Sequence, residues 1–379
     1  MKVISEQELS EALAAASGPV RVRGGGTRDI GAPVAGEVLE VGLSGIELYE
    51  PGALTLVVRA GTPLAEVEAL LAGEGQRLAF EPMDHRPMLG TSGTPTIGGV
   101  VAANVSGPRR IQAGAARDFT LGARFVDGAG RVIRNGGRVM KNVTGYDLVK
   151  LMAGSWGTLG VLSEVSFKVQ AVPETEATLV GRGLSLAEGV AALARALGSP
   201  YDVTGAAHVD FDGGQTLVRV EGLEGMVAYR AAALAGGALA GWEIVRGEAS
   251  AALWAEMRDV RPFAGGNAPV WRVSLKPSDA PLLSQTLAAA GLNHRGIYDW
   301  GGGLAWLELS GPAEDAGAGV LRRALAPLGG HATLVRATPE HRARIDVFQP
   351  QPAPLAAISR GIKQKFDPRG ILNPGLMGV

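Results

Sequence analysis

Residues 91–110 read TSGTPTIGGVVAANVSGPRR, and the reading of this stretch decides the fold. It carries no charge until Arg109 and Arg110, has prolines at 95 and 108, and surrounds a single Asn104 with small residues. Its glycines and prolines argue against a helix, and its small side chains fill a core poorly. The implied role is a backbone that lies close against something that is not protein. Two other stretches share the texture, VRGGGTRD (22–29) and GSWGTLGV (154–161). Glycine inside regular structure costs stability, so three separated glycine loops suit a large ligand with a diphosphate and an extended footprint.

The bulk composition bounds the alternatives. A chain of 379 residues is long enough for two domains, and 46% hydrophobic with 19% charged residues describes an ordinary globular protein. A net charge of −1 gives no basic field for nucleic acid or anionic lipid. No stretch is apolar enough to span a bilayer, and MKVISEQELSEALAAASG reads as an amphipathic helix rather than a signal segment, so the expected location is cytoplasmic. There are no cysteines, which excludes disulfides, iron–sulfur clusters and thiolate metal sites within the chain. Redox chemistry here needs a bound organic cofactor and an outlet elsewhere.

Ser5 and Glu8 form a capping-box pattern that predicts a helix over 6–16, followed by the strand VRVR. Strands are expected at 38–41 and 54–60, a helix after Thr62-Pro63, and a hairpin turning at Gly128-Ala129-Gly130. Pro173 marks a boundary between a domain of residues 1–172 and one of 173–379. Beyond it the order β-α-β-β-α-β occurs twice, with strands near 176–182, 203–209, 216–221 and 242–246 and again near 270–275, 294–299, 304–309 and 331–336. Two ferredoxin-like units of this kind predict one extended antiparallel sheet with helices on one face.

VRGGGTRD offers successive backbone amides as an anion nest, with Thr27 and Arg28 suited to phosphate, although alone it reads equally as a plain glycine turn. It lacks the third glycine of a dinucleotide fingerprint, and no P-loop pattern occurs. Together the order GGGTRD, TIGGVVAANVSGPRR, GGRVMKNVTGYDL and GSWGTLGV resembles the vanillyl-alcohol-oxidase (PCMH-type) FAD-binding family. FDPRGILNPG (366–375) is similar to the closing motif of FAD-linked oxidases. WRVSLKPS (271–278), YDWGGGLAWL (298–307) and GGHATLVR (329–336) extend the resemblance over nearly the whole chain, to the FAD-binding subunits of bacterial glycolate oxidases.

That resemblance implies an α+β protein: a PCMH-type FAD-binding domain of two α+β subdomains, then a C-terminal α+β domain whose final segment returns to the flavin. It places the pyrophosphate on Gly24, Gly25, Gly26 and Thr27, flanked by Arg23, Arg28 and Asp29. Pro82, Thr96, Ile97, Gly98, Gly99, Asn104 and Gly107 would follow the flavin and ribityl chain, with Arg109 on the cofactor's phosphate. Gly157, Thr158, Gly160 and Val161 would meet the adenine side, and Asn373 the isoalloxazine. With no His beside the first loop and no Cys anywhere, FAD is expected to be non-covalent.

No metal site is expected, because the five histidines are scattered without ligand spacing. His208 with Asp210 comes nearest, and its plain reading is a strand-end His beside a loop Asp. Candidate catalytic residues are Lys141 and Tyr146 in KNVTGYD, with His85 in the loop near the flavin. The resemblance implies a subunit of a glycolate (2-hydroxy acid) oxidase or dehydrogenase complex that forms glyoxylate. Its partners would be a catalytic FAD-linked subunit and an iron–sulfur subunit, with membrane association only through the complex. The alternatives are an autonomous FAD-dependent 2-hydroxy acid or polyol dehydrogenase, and a non-catalytic assembly subunit.

Overall fold

The computed structural model describes residues 1–139, 145–311 and 314–378. The N-terminal part holds two sheets. Lys2–Val3, Glu37–Val41 and Val20–Arg23 form a small parallel sheet in that spatial order. Helix Glu6–Ala15 packs Leu9 and Leu13 into the core beside it, and Ser5 Oγ accepts from the Glu8 amide at 3.1 Å to start that helix. A five-stranded antiparallel sheet follows, ordered Ile46–Glu50, Thr55–Arg59, Val161–Lys168, Thr120–Val126 and Val132–Gly136. Its central strand, Val161–Lys168, buries residues on both faces because both faces are covered.

The C-terminal part is one antiparallel sheet of eight strands. Across it run Glu243–Arg246, Thr175–Arg182, Gln215–Gly222, Val203–Val209, Asn293–Asp299, Leu304–Ser310, Val270–Ser274 and His331–Arg336. Each half has the ferredoxin-like order, and the halves meet where His208 pairs with Tyr298 and Val209 with Ile297. The doubled β-α-β-β-α-β reading of the sequence therefore holds, strand for strand. Helix Leu186–Leu197 shows why: Ser185 and Glu188 cap it reciprocally, and Val190, Leu193 and Ala196 fall on its sheet-facing side.

One expectation fails. Ile97–Ala102, inside the stretch held too broken for a helix, is helical. Thr96 Oγ1 accepts from the Gly99 amide at 3.3 Å, satisfying an end that the weak helix formers could not hold alone. Gly98 lets this turn sit directly on the strand-end residue Ala60, where an added Cβ would come within 2.7 Å of the Ala60 carbonyl oxygen. At that glycine the close neighbour is protein.

The last segment closes the molecule. Asp367 accepts from the amides of Ile371 and Leu372 at 3.1 and 2.8 Å, folding FDPRGILNPG into a turn. Arg369 donates to the carbonyls of Leu13, Ala14 and Ala16 at the end of the first helix. Leu372 then bridges in parallel to Val20. Asn373 Oδ1 accepts from the Val22 amide, and its Nδ2 donates to Trp156 O, both at 2.8 Å.

Candidate functional site

A cavity of about 380 Å³ lies where these pieces converge. One wall is the loop after strand Val20–Arg23: Arg23, Gly24, Gly25, Gly26, Thr27, Arg28 and Asp29. The second is the short helix, through Thr96, Gly98 and Gly99, and the third is Gly157, Gly160 and Val161 with Asn373 at the rim. The three glycine loops that looked related in texture do share one cavity.

The geometry revises the role of Gly25. A Cβ there would lie 1.6 Å from the Thr94 carbonyl oxygen, so the first and second loops touch backbone to backbone. The donors for a ligand are the amides of Gly25, Gly26 and Thr27, which give no hydrogen bond to backbone elsewhere among the described residues. Arg28 adds a cation to the same wall. Its Nε contacts His85 Nδ1 at 3.3 Å, but its buried Nη2 has no partner. Burial lowers the Arg28 pKa to about 10, partly offset by Asp84. A buried guanidinium and unpaired amides facing one cavity are costly unless an anion completes them. A diphosphate fits that requirement.

The remaining sequence candidates separate. Ile97 is fully buried core, and Pro82 and Thr158 stand outside the lining. Thr158 Oγ1 instead donates to Ser155 O at 2.7 Å. Asn104, at φ 48°, accepts from the Arg117 amide at 3.0 Å, and the Gly107 amide donates to Phe80 O at 2.8 Å. Arg109 does not face the cavity: its Nη1 is paired with Glu221, and its amide donates to Glu81 Oε2 at 2.8 Å. Tyr146 is 89% exposed and away from the cavity, and Lys141 lies outside the described residues. His85 is buried against Arg28; burial first, and the Arg28 charge second, push its pKa down to about 3. It is neutral at physiological pH.

His208 is structural in its surroundings. Its Nδ1 meets Thr216 Oγ1 at 2.8 Å, while Asp210 accepts from the Gly296 amide at 2.6 Å and from Tyr298 Oη at 3.3 Å. Among the described residues no cluster of three or more His, Asp or Glu could hold a metal.

A second group brings Arg110 together with Arg272 and Trp300, two residues that sequence reasoning did not single out. Arg272, at the middle of Val270–Ser274, and Arg110 both lie over the Trp300 ring, 5.4 and 4.6 Å from its centroid. Trp300 holds φ 55°, rare outside glycine, and its Nε1 donates to Gly107 O at 3.1 Å. Asp299 Oδ1 accepts from the Trp300 amide at 2.7 Å, and burial pushes its carboxyl up to about 7. Trp300 and Arg272 sit inside the quoted motifs YDWGGGLAWL and WRVSLKPS, which was the available signal.

Comparison with known proteins agrees with this geometry. Residues 1–136 match the FAD binding domain family. The chain is 38% identical to glycolate oxidase subunit GlcE of Escherichia coli, over 95% of this chain and 92% of that protein. Glycolate oxidase subunit GlcD of Bacillus subtilis is 37% identical over 38% of this chain and 28% of its own length. Among solved structures, alkyldihydroxyacetonephosphate synthase superposes with a TM-score of 0.69, covering 99% of this chain and 75% of that one. At 16% identity, that is a likeness of fold. Among the described residues no helix is long and apolar enough to cross a membrane.

Proposed function

We propose, because this chain belongs to the family of FAD-binding glycolate oxidase subunits that includes GlcE, that it is the flavin-carrying subunit of a complex oxidising a 2-hydroxy acid such as glycolate. The observation that carries the reading is the three-loop cavity with the buried Nη2 of Arg28 left without a partner among the described residues. The first-loop amides and Arg28 would hold the diphosphate, Gly99 and Thr96 the adjoining chain, and Gly157, Gly160 and Val161 the far end. Asn373, clasped to Val22 and Trp156, fixes the rim. When bound, FAD supplies a two-electron acceptor for hydride from the carbon bearing the hydroxyl. The attachment is non-covalent, since neither Cys nor a His within the first loop offers a tether.

This chain's own residues position rather than drive the reaction. His85, held neutral and pressed against a cation, is a poor proton acceptor near pH 7. A catalytic FAD-linked partner would complete the reaction, and an iron–sulfur partner would take the electrons that a cysteine-free chain cannot pass through a cluster. The test is anaerobic mixing of the flavin-loaded chain with glycolate. Little bleaching alone, restored when co-purifying subunits are added, supports the reading. Rapid bleaching by the isolated chain, near the ~10 s⁻¹ typical of enzymes, would favour an autonomous dehydrogenase. A colourless protein that takes up no FAD would leave an assembly subunit.

A further inference from the structure

The geometry points to a small-carboxylate site on this chain at Arg110, Arg272 and Trp300, where two guanidiniums gathered over one indole receive the carboxylate of a 2-hydroxy or 2-oxo acid. The identity of the acid rests on the functional reading above; the anion site does not.

Four observations converge on it. First, the two cations have no anion of their own. Arg295 and Arg336, in the same sheet as Arg272, share Glu308. Among the described residues, Arg110 and Arg272 share only the faces of aromatic rings, Arg272 being also 5.9 Å from the Trp306 centroid. A guanidinium stacked by its face keeps its edge N–H groups free, in the fork that suits a carboxylate. Second, the nearby acids are otherwise engaged. Asp118 is tied to Lys150 at 3.4 Å and accepts from the Ala115 amide, while Asp299 is bonded to the Trp300 amide and titrates near neutrality.

Third, the site is half-buried and accessible. Burial lowers the Arg272 pKa to about 10, with the like charge of Arg110 adding to the effect, yet Arg272 and Arg110 both remain only half-buried. Two like charges held in poorly solvated surroundings repel strongly until an anion joins them. Fourth, Trp300 is strained into place. A left-handed backbone at a bulky residue is strained, and the bond to Gly107 O fixes the ring on which both arginines rest. His85, bonded to the cavity-wall residue Arg28, lies within reach of the Arg272 charge as well.

Anaerobic calorimetric titration of the full-length, flavin-loaded chain with sodium oxalate and sodium glycolate tests the site, with ethane-1,2-diol as the uncharged control. Both carboxylates should bind and the diol should not. Arg272→Gln and Arg110→Gln should each weaken binding at least tenfold while flavin content, read by absorbance on the same samples, stays constant. Should a glutamine variant misfold, Arg272→Lys decides, because it keeps the charge and loses the planar fork. Tenfold weaker oxalate binding supports the site, and wild-type affinity overturns it. Full flavin with no carboxylate binding also overturns it, leaving the flavin reading intact. Flavin-free protein that still binds oxalate through Arg272 supports the site and sinks the flavin reading instead.

Discussion

Arg109 and Arg110 are neighbours in sequence and end in opposite surroundings. Arg109 enters a buried network in which its Nη1 pairs with Glu221, Arg77 meets Glu221 at 2.8 Å and Arg219 meets Glu81 at 2.9 Å. Burial opposes the ionisation of Glu221, but Arg219, Arg109 and Arg77 overcome it and hold its pKa at about 2. Arg110 and Arg272 have no salt-bridge partner among the described residues, and Arg28 keeps a buried Nη2 without a hydrogen-bond partner. The first region spends charge on joining the N-terminal loops to the eight-stranded sheet. The second keeps charge in reserve. Charge that the fold has already neutralised reports structure, and charge left open beside a cavity reports a ligand.

The largest expected effect comes from breaking the neutralised region. Glu221→Ala strands Arg109 and Arg77 and leaves Arg219 with Glu81 alone, and removing one partner of a buried pair costs about 3–5 kcal/mol. Urea denaturation should show that loss. A change under about 1 kcal/mol would mean that the network is no more than a solvated surface cluster.

Next is the slope of stability with pH contributed by Asp299. Its folded pKa of about 7 lies above the ordinary 3.8, so between those values the unfolded chain has released a proton that the folded chain retains. Stability from this group is full below pH 4 and falls as pH rises towards 7, by at most about 1.4 kcal/mol per unit. Asp299→Asn keeps an acceptor for the Trp300 amide and should flatten that contribution. Parallel pH profiles for variant and wild type would count against a neutral, buried Asp299.

A smaller effect is expected at Gly25. The Cβ of Gly25→Val meets the Thr94 carbonyl rather than open cavity, so flavin loss should come with about 1–3 kcal/mol of destabilisation. Thermal melts of the flavin-free protein measure it directly. Unchanged stability with complete flavin loss would mean that the space beside Gly25 is open to the cofactor and not filled by the Thr94 carbonyl.

Much of this was legible in the sequence where the determinants are local. The doubled ferredoxin-like order was legible in the succession of strands and Ala-rich helices beyond Pro173, and the glycine loops pointed to one large shared ligand. The helix Ile97–Ala102 was hidden because its stability comes from the Thr96 cap and from contact with Ala60, not from its own residues. The fates of Arg109 and Arg110 were hidden for a related reason. Glu221 and Trp300 decide them, and each is more than a hundred residues away. Asn373, expected at the isoalloxazine, lines the cavity, but its two amide bonds to Val22 and Trp156 require the chain end to return to the first sheet and were not legible.

The most direct measurement titrates FAD into flavin-free wild type, Arg28→Gln and Arg109→Gln, following flavin fluorescence, with urea stability recorded on the same preparations. Arg28 is the open cation on the cavity wall, and Arg109 is the neutralised one, paired with Glu221 outside the lining. The predicted result is a crossed pattern: Arg28→Gln weakens FAD at least tenfold with little change in stability, and Arg109→Gln lowers stability while leaving FAD affinity within about twofold, well inside the 1.4 kcal/mol of a tenfold change. Tight FAD binding by Arg28→Gln together with its loss in Arg109→Gln would contradict the distinction between open and neutralised charge.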